Sequence, residues 1–118
     1  MKKSNKTFPK SERLTKNHQF KRVYEQGNSI ANEFVVLYFL KNGGNKRRIG
    51  FSISKKIGKA VIRNRIKRIF KEIYRKNKND LVSGIDLIII ARKGIAGASY
   101  KEIKAAVFNL FIRASLFK

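Results

Sequence analysis

Residues 85–91 read IDLIIIA, an apolar run in which Asp86 is the one polar residue. Such a run is a buried central strand, which commits the chain to a sheet with a packed core. At 118 residues the chain is long enough for one such core and too short for two independent ones. The flanking patterns supply the other elements. Thr15 is placed to cap a short helix in which Phe20, Val23 and Tyr24 fall at i, i+3 and i+4, with Gly27 as its stop. Residues 29–41 read as one long strand, with room to bend or split. The NGGN turn at 42–45 leads into KRRIGFSIS, where Ile49, Phe51 and Ile53 alternate with Gly50, Ser52 and Ser54, so one face is apolar and the other nearly bare. Residues 58–76 form a second helix. Residues 99–117 form a third, opened by a capping box of Ser99 with Glu102 and striped by Ile103, Val107, Leu110, Phe111 and Ala114. The expected order is αββ(β)αβα in a single α+β domain over residues 13–118, behind a flexible basic leader at 1–12.

Charge decides the class of partner. The chain carries 29 Lys and Arg against 7 Asp and Glu, a formal +22, while 42% of its residues are hydrophobic. The apolar content is enough for folding, so the charge has to sit on the surface. A surface that positive repels itself, and a polyanion relieves the repulsion: nucleic acid, an acidic membrane or an acidic protein. Cysteine is absent, which excludes disulfides and thiolate metal sites. The basic N-terminus lacks the apolar stretch of a signal peptide, and no run is long enough to span a membrane. A cytoplasmic protein is expected.

Protein-borne chemistry is hard to place on this chain. His18 is the only histidine and reads as a surface residue, and the seven carboxylates show no acid/base or metal-ligand spacing. Nucleophile elbows and phosphate loops are missing. The GIAG of residues 94–97 matches the GxxG loop of KH domains, but such a loop joins two helices and this one follows a strand. The alternatives carried forward are an RNA-binding subunit whose partner supplies the chemistry, a ribosomal or ribosome-assembly protein, and a membrane-active cationic peptide. The last conflicts with a buried strand and a capped final helix.

The stretch GKAVIRNRIKRIFKEIYRK, residues 58–76, sets eight basic residues against Glu72. At about 100° per residue, Ile62, Ile66, Ile69, Phe70 and Ile73 share one arc with Tyr74 at its margin. Lys67, Lys71, Asn64, Arg75, Arg68, Glu72 and Arg65 fill the other side, and Arg63 lies at the border. A merely solvated face would mix signs to gain i,i+4 pairs. This one presents cations.

The spelling of that helix, AVIRNRIKR, resembles the RNR motif of the bacterial ribonuclease P protein subunit. The likeness extends to RLTKNHQFKRVYEQG as that family's first helix, SIANEFVVLYF as its first strand, RIGFSISKKIGKAVIRNRIKR as its signature block and DLIIIARK as its last strand. It covers residues 13–116, in the family's order. Departures are Lys59 where Asn is common, Gln19 where an acid often precedes the helix Phe, and Glu33 where a base is frequent. The resemblance implies a small α/β sandwich like the second domain of ribosomal protein S5, with a left-handed βαβ crossover against the usual right-handed rule. It also implies a ribonucleoprotein endonuclease that removes the 5′ leader of precursor tRNA, with the catalytic Mg2+ held mainly by the RNA subunit and no catalytic residue on this chain.

Site residues follow from the same likeness. Arg63, Asn64 and Arg65, with Lys59, Arg68 and Arg75, are expected to face the ribonuclease P RNA. Phe20, Tyr24, Val36 and Tyr38 are expected to line a cleft for the single-stranded leader, with Lys55, Lys56, Lys67 and Lys71 at its approach. Gly50, Ser52 and Ser54 would let a backbone come close to the sheet. The partners implied are the RNA subunit and the precursor leader, with no membrane and no small-molecule substrate.

Overall fold

The computed structural model describes residues 7–118. Three helices and four strands run in the order α1 Asn17–Gln26, β1 Asn28–Ala31, β2 Val35–Lys41, β3 Arg48–Ser52, α2 Ala60–Asn77, β4 Ile85–Ala91 and α3 Tyr100–Arg113. They make one sheet in the order β1-β2-β4-β3, antiparallel except for β3 against β4. The parallel pair is joined through α2, as a crossover helix requires.

IDLIIIA is the central strand, paired along its length with β2 on one side and β3 on the other. Its lone acid is accounted for. Asp86, 1% exposed, receives Nε and Nη2 of Arg48 at 2.9 and 2.7 Å and Nδ2 of Asn42 at 2.9 Å. The hydrogen bond to Asp86 raises the Arg48 pKa further. Period two sorts the rest of the sheet into two faces. Val35, Leu37, Ile49, Leu87 and Ile89 turn towards α2 and α3, where Ile66, Phe70, Ile73, Tyr74, Val107, Leu110 and Phe111 complete the main core. On the opposite face α1 lays Val23 over Ile88, with Leu14 beside them.

At four places the structure refines or changes the reading. The long strand at 29–41 is a hairpin: Asn32 Oδ1 accepts the N–H groups of Phe34 and Val35, folding the chain back so that Ala31 pairs with Val36. The NGGN segment leads into β3 as expected, but the two strands it connects do not pair, because β4 lies between them. Thr15 does not cap α1. Lys16 holds the N-cap position, and Gln19 Oε1 accepts from the N–H groups of Thr15 and Lys16 at 2.9 and 3.0 Å, so Gln19 carries the acceptor role for which an acid was expected.

The fourth concerns the leader. Residues 1–6 lie outside the described residues, and residues 7–12, expected to be flexible with them, pack on the domain as a strap. The Phe8 ring meets Tyr74 and Phe51 edge-on at 5.3 and 5.9 Å. Glu12 pairs with Lys78, whose Nζ also donates to the Thr7 carbonyl, and accepts the Tyr74 hydroxyl at 2.7 Å. Burial, and then this hydrogen bond to Glu12, push the Tyr74 pKa up.

Candidate nucleic-acid interface

The α1 face of the sheet is only half covered, and what stays open is aromatic and polar. Adjacent rungs set Ser29, Tyr38, Ile88 and Gly50 in one row, and Ala31, Val36, Ile90 and Ser52 in the next. Helix α1 lies over the first row and leaves the second half-exposed. Tyr24, 39% exposed, stands at the boundary. Its ring meets Tyr38 at 90° and 5.0 Å, and its hydroxyl is hydrogen-bonded to Ser52. Burial raises the Tyr24 pKa, while that hydrogen bond opposes the rise. The row therefore forms a shallow apolar floor beside two orthogonal rings, shaped to take flat unpaired bases.

Phe20 belongs partly to the structure. Its ring lies so close over Gly50 that a Cβ there would come within 2.5 Å of it. The room at Gly50 is thus filled by the protein's own ring, whereas Ser52 in the next row stays half-exposed. Ser54 leaves the sheet to cap the 3₁₀ turn Lys55–Ile57, accepting from the Lys56 N–H at 3.2 Å. That turn holds Lys55 and Lys56 exposed.

Between α1 and α2 is a cleft of about 200 Å3 lined by Phe8, Phe20, Gly50 and Phe51 and rimmed by Arg13, Lys67 and Lys71. Desolvation, then the nearby charges of Lys67 and Arg13, lower the Lys71 pKa. Three cations held this close repel one another, and an anion among them would relieve the strain.

The expected RNA-facing residues of α2 divide between its flanks. Arg63 lies on the flank of Lys67 and Lys71 and donates Nη1 to the Gly58 carbonyl at 3.0 Å, bracing the helix start. Asn64 and Arg68 are exposed, as is Lys59 at the N-cap. Arg75 pairs with Glu72 at 2.7 Å. Arg65 turns the other way, its Nη2 reaching the Ala98 carbonyl at 3.0 Å. Sequence reading missed Arg13, Phe8 and Ile90. Ile90 could have been found from its period-two relation to Ile88, whereas nothing local signals where the strap carries Phe8 and Arg13.

No group of three or more His, Cys, Asp or Glu among the described residues could hold a metal ion. Glu12, Glu72 and Asp86 are each engaged by a cation. His18 is exposed at the start of α1.

The family model described as Ribonuclease P matches residues 8–115. The ribonuclease P protein component of Clostridium kluyveri is 47% identical over 108 residues, covering 90% of this chain and 96% of that protein. That of Alkaliphilus oremlandii is 45% identical over 104 residues, covering 88% and 91%. Among solved structures, the Staphylococcus aureus RNase P protein superposes with a TM-score of 0.86 at 34% identity, covering 92% of this chain and all 100% of that one. The Thermotoga maritima RNase P protein gives 0.79 at 34%, covering 86% and 96%. Sequence and fold agree along nearly the whole chain, which belongs to the ribonuclease P protein family, the protein component of the ribonucleoprotein that processes the 5′ end of precursor tRNA.

Proposed function

We propose that the chain divides its work between two surfaces. The half-open sheet face, with Tyr24, Val36, Tyr38 and Ile90, holds the single-stranded 5′ leader of precursor tRNA, and Arg13, Lys67 and Lys71 meet its phosphates. The outer surface of α2, with Lys59, Arg63, Asn64, Arg68 and Arg75, meets the RNA subunit. The observation that carries this reading is the pairing of an uncovered apolar row with two orthogonal tyrosines, beside a cluster of three cations. Every base offers a ring face, so stacking on such a floor tolerates many leader sequences. The cations neutralise phosphates without reading sequence.

Catalysis, on this reading, belongs to the RNA. The described carboxylates do not fit a Mg2+ site of the protein's own, since three of them are already paired with Lys or Arg. On this reading Mg2+ is held mainly by the RNA subunit, and the protein raises affinity for substrate. A cleavage assay on precursor tRNA at low magnesium, using a bacterial ribonuclease P RNA with and without this chain, tests the proposal. Stimulation by the chain is expected, with RNA-subunit affinity falling roughly 10³- to 10⁵-fold between 50 and 200 mM salt if about 6 to 10 phosphates are neutralised. A flat salt profile would remove the electrostatic basis.

A further inference from the structure

On the flank of α2 turned towards α3, Arg68, Ile69 and Glu72 face Tyr100 across a groove of about 310 Å3. Tyr100 opens α3 and is half-exposed. Its backbone is held from both sides. Arg65 ties the preceding turn through the Ala98 carbonyl, and the capping box joins Ser99 and Glu102 by hydrogen bonds of 2.8 and 3.1 Å. The Tyr100 side chain packs partly against the main core, which limits the freedom it has left to lose on binding. The groove's one carboxylate, Glu72, is engaged by Arg75 at 2.7 Å and Lys76 at 3.2 Å. Exposed Arg68 leaves the groove with an unneutralised cation.

An aliphatic floor, a fixed aromatic wall and a guanidinium at the rim suit a single nucleotide, with the base on the ring and the phosphate on the fork. We infer that the α2–α3 groove is a nucleotide subsite for the RNA subunit, in which Tyr100 stacks one unpaired base, Arg68 takes the neighbouring phosphate and Arg65 is a positioning residue. The inference rests on the reading of the outer surface of α2 as the RNA-subunit face and adds to it a pocket and an aromatic contact. The substrate leader is assigned to the other flank of α2, where Lys67 and Lys71 rim the cleft.

The test is binding of the full chain to the ribonuclease P RNA of Clostridium kluyveri with no tRNA present. Tyr100→Ala is expected to weaken binding roughly 5- to 150-fold, the loss of one stacked base, while Tyr100→Phe stays within about twofold. Arg68→Ala should weaken binding and lower the salt slope by about one. If Arg65 acts through Tyr100, the Arg65→Ala and Tyr100→Ala losses will not add in the double variant. Wild-type affinity for a Tyr100→Ala chain with unchanged melting overturns the inference, as does a Phe variant that loses as much as the Ala variant. Should Tyr100→Ala melt early, Tyr100→Leu serves instead, and wild-type affinity there is equally fatal. A loss seen only once precursor tRNA is added would place the substrate in the groove and also overturn it. Lys59→Ala separates the two levels: if it weakens binding while Tyr100→Ala does not, only the groove falls, and if neither has an effect the reading of α2 falls as well.

Discussion

The two faces of the sheet share the same backbone yet are built for opposite ends. Towards α2 and α3 the centre is sealed: Phe70, Tyr74, Leu87 and Phe111 are 0% exposed, with Phe39 and Phe51 partly buried at its margins. Towards α1, only Leu14, Val23 and Ile88 are buried, and Phe20, Tyr38, Leu40 and Ile90 pack around them partly in solvent. The difference comes from coverage. Two helices spread over the first face, whereas the 10 residues of α1 leave the row of Val36 and Ile90 in reach of a ligand. One face holds the fold together, which frees the other to keep apolar surface available for binding.

Substitutions can break this comparison. Phe111→Ala, on the sealed face, is expected to cost about 3–5 kcal/mol in urea unfolding. If it costs less than 1 kcal/mol, the α2/α3 face is not what stabilises the sheet. Glu12→Ala is next. It leaves the Lys78 ammonium, 5% exposed, without its carboxylate. Removing one partner of a fully buried pair costs roughly 3–5 kcal/mol, and because Glu12 keeps some contact with water about 2 kcal/mol is expected. No loss would mean that the strap adds nothing to the domain.

On the open face the signature changes from stability to binding. Tyr38→Ala should weaken holoenzyme affinity for precursor tRNA by about 1–3 kcal/mol, with little effect on mature tRNA, which has no leader. Phe20→Ala should affect both readouts, since its ring fills the space over Gly50 as well as bordering the cleft. Equal losses for precursor and mature tRNA in Tyr38→Ala would remove the leader from this surface. The smallest effect belongs to His18→Ala, expected to leave cleavage at saturating RNA unchanged. A hundredfold rate loss in a folded variant would reveal a protein-borne catalytic group.

Periodic elements were legible before any coordinates. The basic helix, the capping box of α3 and the burial of Ile85–Ala91 follow from local spacing, and local spacing is what a sequence displays. Non-local geometry was not. Nothing around the NGGN segment signals that β4 lies between the strands it joins. Phe8 is a lone aromatic with no period around it, and its packing depends on Tyr74, far along the chain. The site divided the same way. Tyr24, Val36 and Tyr38 are placed on one face by period and family likeness, and Ile90 was within reach of the same period, while Arg13 joins them only through tertiary packing.

The insertion of β4 between β2 and β3 also sets when this protein becomes a protein. Of the four strands, β4 is the last to leave the ribosome and the one that both neighbours need. At roughly 5–20 residues per second, several seconds separate the emergence of β2 from that of its central partner. During that interval only the local β1/β2 hairpin has its mate, and β3 and the basic helix are made before the strand that will anchor them. Pairings between distant segments close slowly because the loop entropy comes first. The nascent chain therefore displays its basic helix, with all of that helix's positive charge, before it has a core to fold around.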